Sequence, residues 1–310
     1  MKRWAAVGLV LGFLGMSGWM MFGPVSSKDE PGIFIVPEKQ AGWDAAKELA
    51  DQGFIRSQTG DWIVYGGKPI ESGGYRLNKN MNLWQITAKL AGKPDLAWVR
   101  WSACIRQEQV GEILAEKLEW NAVKLESWNK LDGEGQYYPD TYLVPRDETV
   151  EVTAQRFVDR FNEKMAPLLD KFLAENMLWT TGVKIASLIA REAAGPEDAK
   201  IISGVIWNRL DQGIRLQIDA TMQYTRGKVD GRWWGNIDLA EKTKDSPYNT
   251  YLYKGLPPTA ICSPAIEYIR AALEPAETEC LFYLHDHDGQ IHCAKTFEEH
   301  KENIQTYLSR

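Results

Sequence analysis

The chain of 310 residues is long enough for a sizeable core and for more than one module. Its formal net charge is −6, and no basic run or patch interrupts that balance, which argues against nucleic acid as a partner. The four cysteines, Cys104, Cys262, Cys280 and Cys293, fit no metal-ligand spacing, and no cofactor or metal is expected.

Residues 4–22 carry no charge and follow Met1-Lys2-Arg3. As a helix this run reaches ~28 Å, about the thickness of a bilayer core. With Lys2 and Arg3 on the cytoplasmic side, everything after Gly23 is expected outside. A cleaved signal peptide is the rival reading, with small residues at Val25-Ser26-Ser27, but the run is long for one. A retained single-pass anchor is therefore preferred. No cysteine follows the run to carry a lipoprotein anchor.

Beyond a short linker (24–32), residues 33–36 read as a strand, 43–52 as a helix stopped by Gly53, and 62–65 as a second strand. Residues 75–86 read as strand, turn and helix opening, with Asn80 suited to the turn because Asn tolerates positive φ. An amphipathic helix follows over 110–120. Pro139 then forces residues 134–142 into an ordered loop, in which Asp140 has a local capping role open to it.

Helices at 151–165 and 168–177 lead into 181–195, TGVKIASLIAREAAG. There Ile185, Leu188 and Ile189 form one apolar stripe at helical period, and Glu192 lies on it. A carboxylate on a buried face is costly when ionised, so its pKa rises and it can hold a proton near neutrality, as a general acid must. The plainer alternative is a Glu paired with a neighbouring Lys or Arg, or one at the stripe's wet edge.

Gly195-Pro196 separates this helix from the next, whose core residues Ile201, Ile202, Val205 and Ile206 lead to Asn208-Arg209 and a stop at Gly213. Residues 214–219 alternate cleanly and read as a strand, with Arg215, Gln217 and Asp219 on its polar face. Asp219 is also placed to cap the helix 220–224. The loop 226–236 contains Trp233-Trp234, whose indoles suit either a pyranose face or core filling. Pro-containing loops at 246–251 and 255–258 suggest a rigid wall. A helix to Leu273, a hairpin (281–285 and 290–294) turned by Asp288-Gly289, and a helix over 297–308 complete the chain. Cys280 and Cys293 are placed to bridge that hairpin, although the pairing is open. His285, His287 and His292 admit a metal-dependent hydrolase, a remote reading because His beside a turn is usually solvated.

Several separated motifs, in order, resemble the YceG-like family of endolytic murein transglycosylases. They are Glu134-Gly135 with Pro139-Asp140-Thr141-Tyr142, Ala186-Ser187 with Arg191-Glu192, Asn208-Arg209-Leu210, Leu216-Gln217 with Asp219, then 246–251, 255–258, and Thr296 with Glu299-His300. Residues 75–86 also resemble the first half of a LysM module, a glycan-binding βααβ unit.

The resemblance implies an α+β protein. Residues 1–23 would be a cytoplasmic tip and transmembrane anchor, 24–32 a linker, 33–128 an α/β region with a LysM-like subdomain, and 129–310 a mainly helical catalytic domain with short strands and a C-terminal hairpin. It implies cleavage of the MurNAc-β-1,4-GlcNAc bond with a 1,6-anhydro end, and Glu192 as the catalytic acid, in a role that terminates or trims nascent strands.

Asn208, Arg209, Gln217, Asp219, Tyr248 and Asn249 would hold sugar hydroxyls and N-acetyl groups, with Trp233 and Trp234 as aromatic contacts. Arg209 and Asp219 equally admit a structural ion pair with each other. The partners implied are peptidoglycan glycan strands, penicillin-binding proteins and other cell-wall synthesis proteins, at the outer face of the bacterial inner membrane. Two departures stand out. Ala190 replaces the first acid of the family's E-[KR]-E run, and His292 sits one place off the register of the family's His, with Cys293 in the position of its Phe. The first keeps alive a non-catalytic peptidoglycan-binding scaffold.

Overall fold

The computed structural model describes residue 11 and residues 16–56 and 69–308. The expected strand at 62–65 lies outside these residues, as does most of the expected span at 4–22, of which residues 16–22 are helical. No helix among the described residues is long and apolar enough to cross a membrane. The chain divides into two compact units. The first comprises 1–99, 116–120 and 141–148; the second comprises 100–115, 121–140 and 149–310.

The first unit is built on a four-stranded sheet in the order β1 (Pro31–Val36), β2 (Gly73–Asn78), β3 (Leu96–Arg100), β4 (Thr141–Pro145). β1 and β2 run antiparallel, with Phe34 opposite Tyr75. Alternation puts Phe34, Val36, Tyr75 and Leu77 inward against Leu49 of α1 (Ala45–Asp51) and Ile86 of α2 (Leu83–Leu90).

Asn82 opens α2 with a reciprocal capping box to Gln85. The preceding turn is organised by Asn78 rather than Asn80. Its side chain accepts the Asn80 N–H while its carbonyl accepts that of Met81, and Asn80 is not at positive φ. One helix, not two, separates β2 from β3.

The second unit is mainly helical. α3 (Gln107–Leu118, shared at its end with the first unit), α4 (Ala122–Asn129), α5 (Val150–Met165) and α6 (Leu169–Ala174) precede α7 (Trp179–Glu192), about which the unit is packed. Ile185, Ala186, Leu188 and Ile189 are each fully buried. α8 (Ala199–Asp211), α9 (Asp219–Arg226) and α10 (Ile266–Leu273) surround it. The buried Ser187 hydroxyl accepts the Ile261 N–H at 3.1 Å, tying α7 to the chain before α10.

Disulfides join Cys104 to Cys262 and Cys280 to Cys293. The second staples the hairpin β5 (Phe282–His285)–β6 (Ile291–Ala294), where Tyr283 sits opposite Cys293. α11 (Phe297–Tyr307) closes on this hairpin, begun by a capping box between Thr296 and Glu299.

One expected element is absent. Residues 214–218 are not a strand: Gln217 has φ +55°, and the N–H groups of Gln217 and Ile218 go to the carbonyl and hydroxyl of Thr250. The alternation arises because Leu216 and Ile218 are buried in an irregular segment. Asp219 is the first residue of α9 rather than its cap, which is Ile218 without a side-chain bond.

Candidate active site

Glu192 is the last residue of α7, three residues before the stop expected at Gly195. The chain leaves the helix at Ala193, and Asp198 fixes the exit by accepting the N–H groups of Ala194 and Gly195. His285 Nε2 lies 2.5 Å from the same carboxylate. The Glu192 carboxyl faces the negative end of the helix dipole, near the side chains of Arg191, Asp219, Tyr283 and His285. Its pKa is raised, chiefly by burial, with Asp219 adding to the rise; the Tyr283 hydrogen bond and the charges of Arg191 and His285 oppose it. The Tyr283 hydroxyl donates to Glu192 Oε2 at 2.6 Å.

A cavity of about 500 Å³ opens beside this carboxyl, lined also by Arg209, Gln217, Lys242, Tyr251, Phe282, Tyr283, Phe297 and His300. Arg209 and Asp219 do not pair with each other. Arg209 donates to the carbonyls of Leu281 and Leu216 at 2.6 and 2.7 Å and lies 5.0 Å over the Phe282 ring. Burial pushes its pKa down. Asp219 accepts from the Tyr251 hydroxyl and pairs with Lys242 at 3.0 Å. Burial pushes the Tyr251 phenol up to about 12.

Gln217 lines the cavity from a left-handed backbone conformation, a strained state for a side-chain-bearing residue. Phe282 stacks on His300 at 5.4 Å, and burial lowers the pKa of that imidazole.

The remaining expected site residues lie elsewhere. Asn208 gives both amide hydrogens to the carbonyls of Thr278 and Cys280 and faces a second cavity. Asn249 is fully buried; it donates to Lys242 and Lys244 carbonyls and accepts from the Tyr251 and Leu252 N–H groups, which shapes the loop that delivers Tyr251. The Tyr248 hydroxyl bonds Thr259, and its ring packs on Tyr224.

Trp233 and Trp234 are half-buried. Arg106 lies 4.7 Å over Trp233, and Arg191 lies 4.1 Å over Trp234, whose indole N–H goes to Gln109. No sequence signal singled out Tyr283, Lys242, Phe282 or Phe297. Tyr251 and His300 carried one, as parts of the 246–251 and Glu299-His300 motifs.

Residues 34–306 match the model of the YceG-like family. The chain belongs to that family. A relative from Bacillus subtilis strain 168, named endolytic murein transglycosylase, is 26% identical over 336 residues, covering 97% of this chain and 92% of that protein. Relatives of the same name from Streptococcus pneumoniae, strains D39 and R6, are 29% identical over 182 residues, 57% of this chain. The match spans about a third (32%) of the length of those pneumococcal relatives. The crystal structure of a YceG-like protein from Listeria monocytogenes superposes with a TM-score of 0.59 at 24% identity, covering 89% of this chain and 99% of that one, and shares the fold.

Proposed function

We propose that the protein is an endolytic murein transglycosylase that cleaves the MurNAc-β-1,4-GlcNAc bond of peptidoglycan strands, with Glu192 as its acid. The observation that carries this is a carboxyl with raised pKa at the edge of an open cavity, in a chain of this family. Glu192 gives its proton to the glycosidic oxygen as the C1–O bond breaks. As carboxylate it then takes the proton of the muramyl 6-hydroxyl while that oxygen attacks C1, closing the anhydro ring and restoring the acid.

Hydrolysis by paired carboxylates needs a free second one. The nearby Asp219 is engaged by Lys242 and Tyr251. Intramolecular attack needs none and gains by avoided entropy loss. Arg209, Gln217, Lys242 and His300 line the cavity with polar atoms for sugar hydroxyls and acetamido groups.

The catalytic part works outside the cytoplasm, tethered through residues 4–22, at sites of strand synthesis or trimming. Two disulfides support that compartment. The β2–α2 unit, with Trp84 57% exposed, serves as a LysM-like glycan contact.

Mass spectrometry of peptidoglycan incubated with the protein tests the reading. Anhydro-muramyl ends are expected. Reducing ends would indicate hydrolysis, and intact strands with retained binding would favour a non-catalytic scaffold.

A further inference from the structure

We infer that Tyr283 is a positioning residue for Glu192, assigning one carboxyl oxygen to a fixed hydrogen bond and the other to the travelling proton. The inference rests on Glu192 being the acid proposed above. Tyr283 stands on β5, and its hydroxyl donates to Glu192 Oε2 at 2.6 Å. Both residues line the same cavity. A carboxyl has two chemically equivalent oxygens, and an acid that rotates freely presents its proton in the wrong direction part of the time. With Oε2 occupied by a donor, the proton must reside on Oε1. A protonated Oε2 would set two hydrogens against each other, since the phenol is held as a donor by burial and by the neighbouring carboxyl, both of which keep it protonated.

The bond also changes strength during the proposed reaction. A hydroxyl donates more strongly to a carboxylate than to a neutral acid. When Glu192 has given its proton away, the Tyr283 bond tightens and stabilises the anion formed in the transition state, which is how a hydrogen bond contributes to rate. Tyr283 keeps its own proton throughout; the only proton that moves is the one passing from Glu192 to the glycosidic oxygen and back from the 6-hydroxyl.

The support for Tyr283 comes from covalent and tertiary constraint. Cys293, its partner across the hairpin, is bonded to Cys280, so the strand carrying the hydroxyl is stapled three residues upstream. Arg209 grips the carbonyl of Leu281 on the same strand approach. The other charged or titratable groups about Glu192 are Arg191 of α7, Arg209 of α8, Asp219 of α9 and His285 of β5, with Lys242, Tyr251 and His300 across the cavity. Among the described residues none of these makes a side-chain hydrogen bond to the Glu192 carboxyl; Tyr283 does.

The experiment is the pH dependence of kcat on peptidoglycan for the full chain, alongside Tyr283→Phe and a protein carrying fluorotyrosine at 283, with Glu192→Gln as reference. Tyr283→Phe removes a donor to the charged form, so the falling limb at high pH should move up by about one to two pH units, the scale of a hydrogen bond to a charged group. Its kcat should drop ~10-fold or more with KM little changed. Fluorotyrosine, a stronger donor of nearly the same size, should move the limb down, and it serves where the Phe variant folds poorly.

Limbs that stay in place with both replacements, or a loss confined to KM, overturn the role of Tyr283 while leaving Glu192 as acid. A fully active Glu192→Gln overturns the acid assignment itself, and this inference with it.

Discussion

The second unit contains two carboxyls of raised pKa, Glu192 and Glu134, and their differences say more than their likeness. Each lies near an arginine and accepts a hydrogen bond from a tyrosine: Glu192 from Tyr283, Glu134 from Tyr224 at 3.4 Å. Burial pushes Glu134 up to about 8. Yet Glu134 also accepts the N–H of Gln107, the first residue of α3, and so serves as a cap supplied from elsewhere in the fold. The next residue, Gly135, has φ +91°, and a Cβ there would meet that of Ala260 at 2.7 Å. Glu134 also lines a cavity, of about 320 Å³, but its Oε1 is buried without a hydrogen-bond partner while Oε2 caps α3, whereas Glu192 ends its helix beside the larger cavity. A raised pKa and a neighbouring cavity mark both carboxyls; the cap made by one of them and the burial of its free oxygen set it apart as a brace.

The largest effect expected is on rate. Glu192→Gln should lower cleavage at least ~10²-fold, the usual scale of general acid catalysis, with folding preserved. Glu134→Gln should stay within a few-fold of wild type. Assay of both against purified peptidoglycan sharpens the contrast, and equal losses would erase it.

Stability should separate them next. For a carboxyl whose folded pKa lies above its unfolded value, the native state binds the proton more tightly. The resulting stability is full at acid pH and is lost as pH rises. For Glu134 the window runs from its unfolded pKa of about 4.5 to about 8. Melting temperature should therefore fall across that range, and the fall should flatten in Glu134→Gln. Glu192→Gln should flatten it too, in proportion to its own upward displacement. Calorimetry from pH 4 to pH 9 checks this, and an unchanged profile in Glu134→Gln would show that the cap holds its proton no tighter than an exposed acid.

The smallest effect concerns the paired tryptophans, one of which belongs to each neighbourhood. Trp233 lies against Arg106, which also covers Tyr224 at 4.3 Å, on the Glu134 side; Trp234 lies against Arg191, next to Glu192. Trp234→Ala admits water beside Glu192 and should cut activity two- to fivefold, about 0.5–1 kcal/mol, the scale of an exposed cation–π contact. Trp233→Ala should act on melting temperature instead. Reversed outcomes would assign the two indoles the other way round.

These distinctions were unevenly visible in the sequence. The α7 stripe was readable because burial on one face imposes a local period, and Glu192 interrupts that period with a charge. The family's motifs were readable as an ordered series. The false strand at 214–219 shows the limit: alternation reports alternate burial, and a segment pinned by Thr250 alternates without pairing. Tyr283 was invisible because it approaches Glu192 from 91 residues away, and nothing local in the hairpin distinguishes a residue aimed at the acid. Asn249 looked like a ligand-binding residue because a loop amide that binds backbone uses the same chemistry as one that binds sugar.

The Cys104–Cys262 bond carries a consequence for how the molecule is made. It closes a loop of 158 residues, and on the chain-entropy account such a closure restricts the unfolded chain by about 5 kcal/mol. All of α7 and Glu192 lies inside that loop. Cys104 must therefore wait, as a free thiol, until residue 262 has been synthesised and has reached an oxidising space. The native ring thus becomes available before either rival partner, since Cys262 precedes Cys280 and Cys293 in the chain, whereas pairing of Cys104 with Cys280 or Cys293 would enclose the helix in a larger, wrong ring.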